Sequence, residues 1–191
     1  MSPLVSTAMP YHTPALNALI DQSRAGDRRA QLRLYQQYRQ AMLRVAARIT
    51  GDPADAEDVL QESFVRAFRG LAGFRGQSTF GAWLKRIVVH TALNHRRRRR
   101  LELVPLSTAH LEMPEDQPAV SVWAGPSQPL RHALAQLPEG YRQVLQLYVF
   151  EGYDHEEIAH ILQISEATSK SQFCRAKKKL RELVSNPFPN A

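Results

Sequence analysis

The chain has 191 residues, 43% of them hydrophobic, with 25 Lys+Arg against 18 Asp+Glu and a formal net charge of +7. That apolar content excludes global disorder, the length suits one domain or two small ones, and a single cysteine, Cys174, excludes an internal disulfide framework. With no basic, apolar leader at the start and no unbroken run of about 18 apolar residues, the expectation is a basic cytoplasmic protein without a membrane span, whose leading partner is nucleic acid.

In chain order, residues 1–15 show no periodicity and are expected to be a disordered extension. Tyr35, Tyr38, Met42, Val45 and Ile49 then recur at steps of three and four, which predicts a helix. Gly51 and Asp52-Pro53 stop it and start the next, with Asp52 as cap and Pro53 at the first position. That second helix should bury Leu60, Phe64, Phe68 and Leu71, with Asp55, Asp58 and Glu62 sharing an exposed face. A loop over Gly70–Ser78 leads to a third helix, about Thr79–Arg99, expected to bury Trp83, Ile87 and Leu93.

Leu101–Ser127 carries four acids, four prolines and no Lys or Arg, and reads as a linker between domains at 16–100 and 128–186. In the second domain Leu130, Ala133, Leu134 and Leu137 form one stripe, and Tyr141, Val144, Leu145 and Tyr148 the next. Gly152 breaks the chain. Short helices at 155–162 and 166–184, the latter capped by Ser165 and burying Phe173, Ala176, Leu180 and Leu183, meet at a tight turn and predict a helix-turn-helix. Residues 187–191 are left as a tail. Nothing reads as a strand, so the class is all-α: two helical domains joined by a flexible linker.

Charge falls in blocks. From Asp52 to Glu62 there are five acids and no base; from Lys85 to Arg100, seven bases and no acid; from Glu166 to Val184, six bases and two acids. Cations at a helix carboxyl end are stabilised by the backbone dipole. Five in succession, Arg96–Arg100, surround the axis and repel one another, which a phosphate backbone would offset. His90, Asn94 and His95 on the same helix can hydrogen-bond to bases, and Phe80 and Trp83, beside a loop holding Arg75, can stack on unpaired ones, although Trp83 taken singly fits a core position better than a stacking platform. A basic helix after an acidic one suits a major-groove reader. The acidic face at 55–62 would be repelled by DNA and serves solvent or a basic protein.

Enzyme chemistry finds no constellation. His155-Glu-Glu-Ile-Ala-His160 resembles a zinc-protease motif, but its histidines are five apart and diverge by about 140° around a helix. Cys174 has no second cysteine for a metal site. No P-loop or dinucleotide glycine pattern occurs, so neither catalysis, cofactor nor metal is expected.

These blocks, in this order, resemble the extracytoplasmic-function group of bacterial sigma-70-type sigma factors. The likeness rests on Asp55-Ala-Glu-Asp-Val-Leu-Gln-Glu-Ser-Phe-Val-Arg-Ala-Phe-Arg69, Phe74-Arg-Gly-Gln-Ser-Thr-Phe80, Trp83-Leu-Lys-Arg-Ile87 and Thr91-Ala-Leu-Asn94. In the second half it rests on Leu137-Pro-Glu139, Glu156-Glu-Ile-Ala159, Ala167-Thr168, Lys170-Ser171 and Arg175-Ala176. It implies a subunit that joins core RNA polymerase, reads −10 and −35 promoter elements and directs transcription initiation. Asp58, Gln61 and Glu62, with Asp55, would meet the clamp helices of the β′ subunit. Arg75, Phe80, Trp83, Lys85, Arg86, His90, Asn94, Arg96 and Arg97 would bind the −10 region as single strand. Thr168, Lys170, Ser171, Cys174, Arg175 and Lys178 would read the −35 duplex in a domain that also docks on the β flap. An anti-sigma protein is the implied regulator.

Five residues depart from the family pattern: His90 where Asn is usual, Gln163 and Ala167 where Gly is usual, Ser169 at an apolar packing position, and Gln172 where Arg is usual. A buried Ser169 without a partner would cost on the order of 1–3 kcal/mol. The rival readings are a helix-turn-helix regulator that binds duplex DNA and never touches polymerase, and a nuclease, for which no carboxylate or histidine cluster speaks.

Overall fold

The structure, a computed structural model, describes residues 13–102 and 128–185. The chain divides into two compact units, residues 1–112 and 113–191, and all regular structure among the described residues is helical.

Local signals set the helix ends of the first unit. Helix α1 (Pro14–Arg24) has Pro14 in its first turn and Thr13 as cap, its hydroxyl accepting from the Leu16 N–H at 3.3 Å. Asp27 caps α2 (Arg28–Thr50), and Gly51 ends it in the left-handed region at φ 79°. Asp52 caps α3 (Pro53–Gly70), accepting from the Asp55 N–H at 2.9 Å. A single 3-10 turn at Leu71–Gly73 follows, then α4 (Phe80–Glu102). Pro14 and Ala15 are helical, so the unstructured extension expected for 1–15 cannot reach them; Leu101 and Glu102 likewise belong to α4 rather than the linker. The remainder of both segments, and residues 187–191, lie outside the described residues.

Helices α2, α3 and α4 pack on one another, with α1 on α2. Met42, Val45 and Ile49 are buried as expected, while Tyr35 and Tyr38 are half-buried and turn their rings edge-on to Phe64 and Phe80. Burial of Tyr38 raises its phenol pKa above the usual 10.0. In α4 the buried stripe is Phe80, Leu84, Val88, Val89 and Ala92. Trp83, Ile87 and Leu93, expected in the core, are half-buried instead. Both stripes have helical spacing, and the more wholly apolar one won the interior.

The second unit holds α5 (Gln128–Ala135), α6 (Glu139–Val149), α7 (His155–Leu162) and α8 (Glu166–Ser185). Its core of Leu134, Leu137, Leu145 and Ala176 is flanked by Leu130, Tyr141, Phe150, Phe173, Leu180 and Leu183. Asp154 and Glu157 form a reciprocal capping box at the start of α7. Gln163 ends α7 in the left-handed region at φ 56°, the position where glycine costs nothing. The Ser165 hydroxyl then accepts from the Thr168 N–H at 3.1 Å and starts α8.

Candidate nucleic-acid interface

On α4, Trp83, Ile87, His90, Asn94 and Arg97 follow at steps of three and four and, with Arg86 beside them, form one stripe along the helix. The middle of that stripe meets α3 in an open depression lined by Arg66, Trp83, Arg86, Ile87 and His90. An indole, two guanidiniums and an imidazole around one hollow can stack on a base, bind phosphate and hydrogen-bond to base edges. Arg75 is exposed in the loop before α4, whose Phe74 ring lies 5.1 Å from that of Trp83.

Three of the residues expected beside this stripe are elsewhere. Phe80 is 0% exposed, inside a ring cluster with Tyr38, Phe74 and Trp83, so it supports the platform and cannot itself stack on a base. Lys85 and Arg96 lie about 140–160° around the axis from Trp83 and are half-buried toward the bundle. Arg96 donates to the Ile49 carbonyl at 3.1 Å, satisfying a carbonyl at the end of α2.

The acidic face is also divided. Asp58 and Gln61 are exposed on α3, with Glu62 beside them. Asp55 does not share that exposure: its side chain is 16% exposed, accepts from Arg99 and lies 3.2 Å from His95 Nε2. It is a tether between α3 and α4, and it occupies part of the charge at the end of the arginine run. Glu62 pairs with Arg66 at 2.5 Å. Sequence reasoning passed over Arg66, although its spacing of four from Glu62 was the available signal.

In α8, Lys170, Ser171, Cys174, Arg175 and Lys178 share one exposed face, with the half-buried Thr168 at its edge. Lys170 pairs with Glu166 at 2.7 Å, and that hydrogen bond, with the attraction of the carboxylate, raises the lysine pKa. The opposite face carries Ser169, Phe173, Ala176 and Leu180 inward. Gln172 also turns in, its amide lying over Gly140, where a Cβ would meet Oε1 at 3.2 Å. Ser169 is 0% exposed and hydrogen-bonded to His155 Nδ1 at 2.9 Å, so the departure from an apolar residue leaves no orphaned hydroxyl. His160 points to solvent, away from His155. Among the described residues no cluster of His, Cys, Asp and Glu is placed to hold a metal, and no helix is long and apolar enough to cross a membrane.

Comparison with known proteins gives one answer for both units. Residues 34–102 match the family model described as Sigma-70 region 2, and residues 127–180 that described as Sigma-70, region 4. The chain is similar to the RNA polymerase sigma-H factor of Pseudomonas aeruginosa, 33% identical over 84% of this chain and 89% of the relative. It is similar also to the ECF RNA polymerase sigma-E factor of Salmonella typhimurium, 32% identical over 88% and 91%. Among solved structures, CnrH in complex with the cytosolic domain of CnrY is similar at a TM-score of 0.55, with 26% identity over 90% of this chain and 97% of that one.

Proposed function

The chain belongs to the extracytoplasmic-function group of the sigma-70 family of RNA polymerase sigma factors, and we propose that its two units divide that work between them. The first unit joins core polymerase and captures the −10 region as single strand; the second reads the −35 element as duplex. The observation that carries this reading is the stripe from Trp83 to Arg97, which sets an aromatic face and cations around one depression while the exposed Asp58 of α3, with Glu62 beside it, turns a charge of opposite sign outward. Bases held there repay their unstacking, so strands separate without ATP.

In this reading Asp58, Gln61 and Glu62 meet the β′ clamp helices, and Arg75, Trp83, Arg86, His90, Asn94 and Arg97 meet the melted strand. Ser171, Cys174, Arg175 and Lys178, flanked by Thr168 and Lys170, face the −35 groove, and the same unit docks on the β flap. The chain does no chemistry of its own and acts in the cytoplasm, where polymerase and promoter are. A masking protein of the anti-sigma kind fits the exposed polar faces; the similar CnrH was captured with the cytosolic domain of CnrY. The duplex-only regulator loses its footing, because it leaves the region-2 match and the exposed acids of α3 without a role.

The test is transcription by purified core RNA polymerase on a library of randomised promoters, with and without this protein. Transcripts that depend on the protein and start a fixed distance below a shared motif are the expected result. Failure to bind polymerase defeats the reading.

A further inference from the structure

Helix α1 lies wholly outside the region-2 match, which begins at residue 34, yet its last residue reaches into the loop that precedes the DNA-facing helix. Arg24 Nε donates to the Leu71 carbonyl at 3.4 Å and Nη2 to the Phe74 carbonyl at 3.1 Å. Its third arm, Nη1, donates to Asp21 at 2.5 Å, one turn earlier on the same helix. One planar guanidinium therefore joins two carbonyls that bracket the 3-10 turn, while a carboxylate holds its orientation.

The base of this fork is rigid. Ile20 and Ser23 are buried, the Ser23 hydroxyl donates to Leu19 O at 2.8 Å, and Gln31 Nε2 on α2 donates to Ser23 O at 3.2 Å. The far end is rigid too, since Leu71 and Phe74 are buried and the Phe74 ring packs on Phe80 and Trp83. Arg75 follows directly and is exposed. The path runs from α1 through one side chain to the backbone that sets both the Trp83 platform and Arg75.

We propose that Arg24 is a positioning residue for capture of the −10 strand: it touches no DNA, and it holds the Leu71–Phe74 backbone so that Trp83 and Arg75 meet the bases pre-arranged. The inference rests on the sigma-factor reading above. It requires the fork and not merely a positive charge, because an ammonium cannot span both carbonyls and Asp21 at once.

The experiment uses the full chain bound to core polymerase, on a promoter selected from the randomised library. Arg24→Lys and Arg24→Ala should each slow open-complex formation about fivefold to tenfold, the equivalent of roughly one net hydrogen bond. Affinity for core polymerase, and for a duplex carrying only the −35 element, should stay within about twofold, as expected for distant sites. Asp21→Asn should move opening in the same direction by less, and serves if Arg24→Ala does not fold. Wild-type opening by Arg24→Lys would overturn the proposal by reducing the role to charge, and an equal fall in all three quantities would overturn it by reducing the role to stability. Opening unchanged in every variant would also end it. If the wild-type protein directs no transcription, the sigma-factor reading itself fails, before any variant is compared.

Discussion

His155 Nδ1 and Ser169 Oγ stand 2.9 Å apart, joining α7 to α8 at the heart of the helix-turn-helix. The imidazole also stacks on Tyr148, ring centroids 4.8 Å apart, and lies edge-on to Phe173. A serine at an interior position of α8 is thereby satisfied by a side chain fourteen residues earlier, and the orientation of α8, the helix proposed to face the −35 duplex, depends on a polar contact inside the unit. Ser169→Ala should cost about 1–2 kcal/mol, since it leaves the imidazole nitrogen without its partner. Combined with His155→Leu it should cost less than the two changes summed, and a double-mutant cycle by thermal unfolding measures that coupling.

Gln163 sits at φ 56°, in the left-handed region, with its amide donating to the His160 carbonyl at 2.8 Å. The backbone cost of a side chain there is roughly 1–2 kcal/mol, above the net worth of one exposed hydrogen bond. Gln163→Gly should therefore raise the melting temperature by a few degrees. An unchanged or lowered value would show that the amide contact outweighs the strain.

Two acids on α3 should separate cleanly. Asp55→Ala should destabilise the first unit by about 1 kcal/mol through loss of the half-screened contacts to His95 and Arg99, with little change in affinity for core polymerase. Glu62→Lys should do the reverse, weakening polymerase binding while the far-ultraviolet dichroism and melting temperature hold. Equal affinities for the two variants would remove Glu62 from the polymerase interface.

On α8, Arg175→Ala should weaken binding to a −35-bearing duplex by about 1–3 kcal/mol if the guanidinium reads a base, and leave a −35-lacking duplex untouched. Lys178→Ala should weaken all duplexes alike and lower the salt slope by about one, the mark of a phosphate contact. Affinity measured at several salt concentrations distinguishes the two roles.

Burial raises the Tyr38 pKa, so the folded state favours the neutral phenol. Its contribution to stability is complete below pH about 10 and is lost as pH rises through the elevated folded value. Tyr38→Phe should flatten that part of the alkaline unfolding profile without changing stability near neutrality by more than the loss of a hydroxyl.

Much of this protein is legible from the chain alone because its signals are local. Asp52-Pro53, Gly51 and Ser165 mark helix ends through hydrogen bonds and dihedrals that involve only neighbouring residues, and the structure keeps each of them. The exposed face of α8 follows equally from spacing, since 3.6 residues per turn fixes which side chains travel together. Periodicity does not say which of two such faces turns inward. Helix α4 offers Phe80-Leu84-Val88 and Trp83-Ile87-His90 at helical spacing, and packing against α2 and α3 took the first, more wholly apolar set into the core and left Trp83 and Ile87 half-buried and His90 exposed. Asp55 and Arg99 meet across 44 positions of sequence, and Arg24 meets Phe74 across 50. Contacts at that range leave no pattern in a single sequence, because they are decided by which helices the whole core brings together.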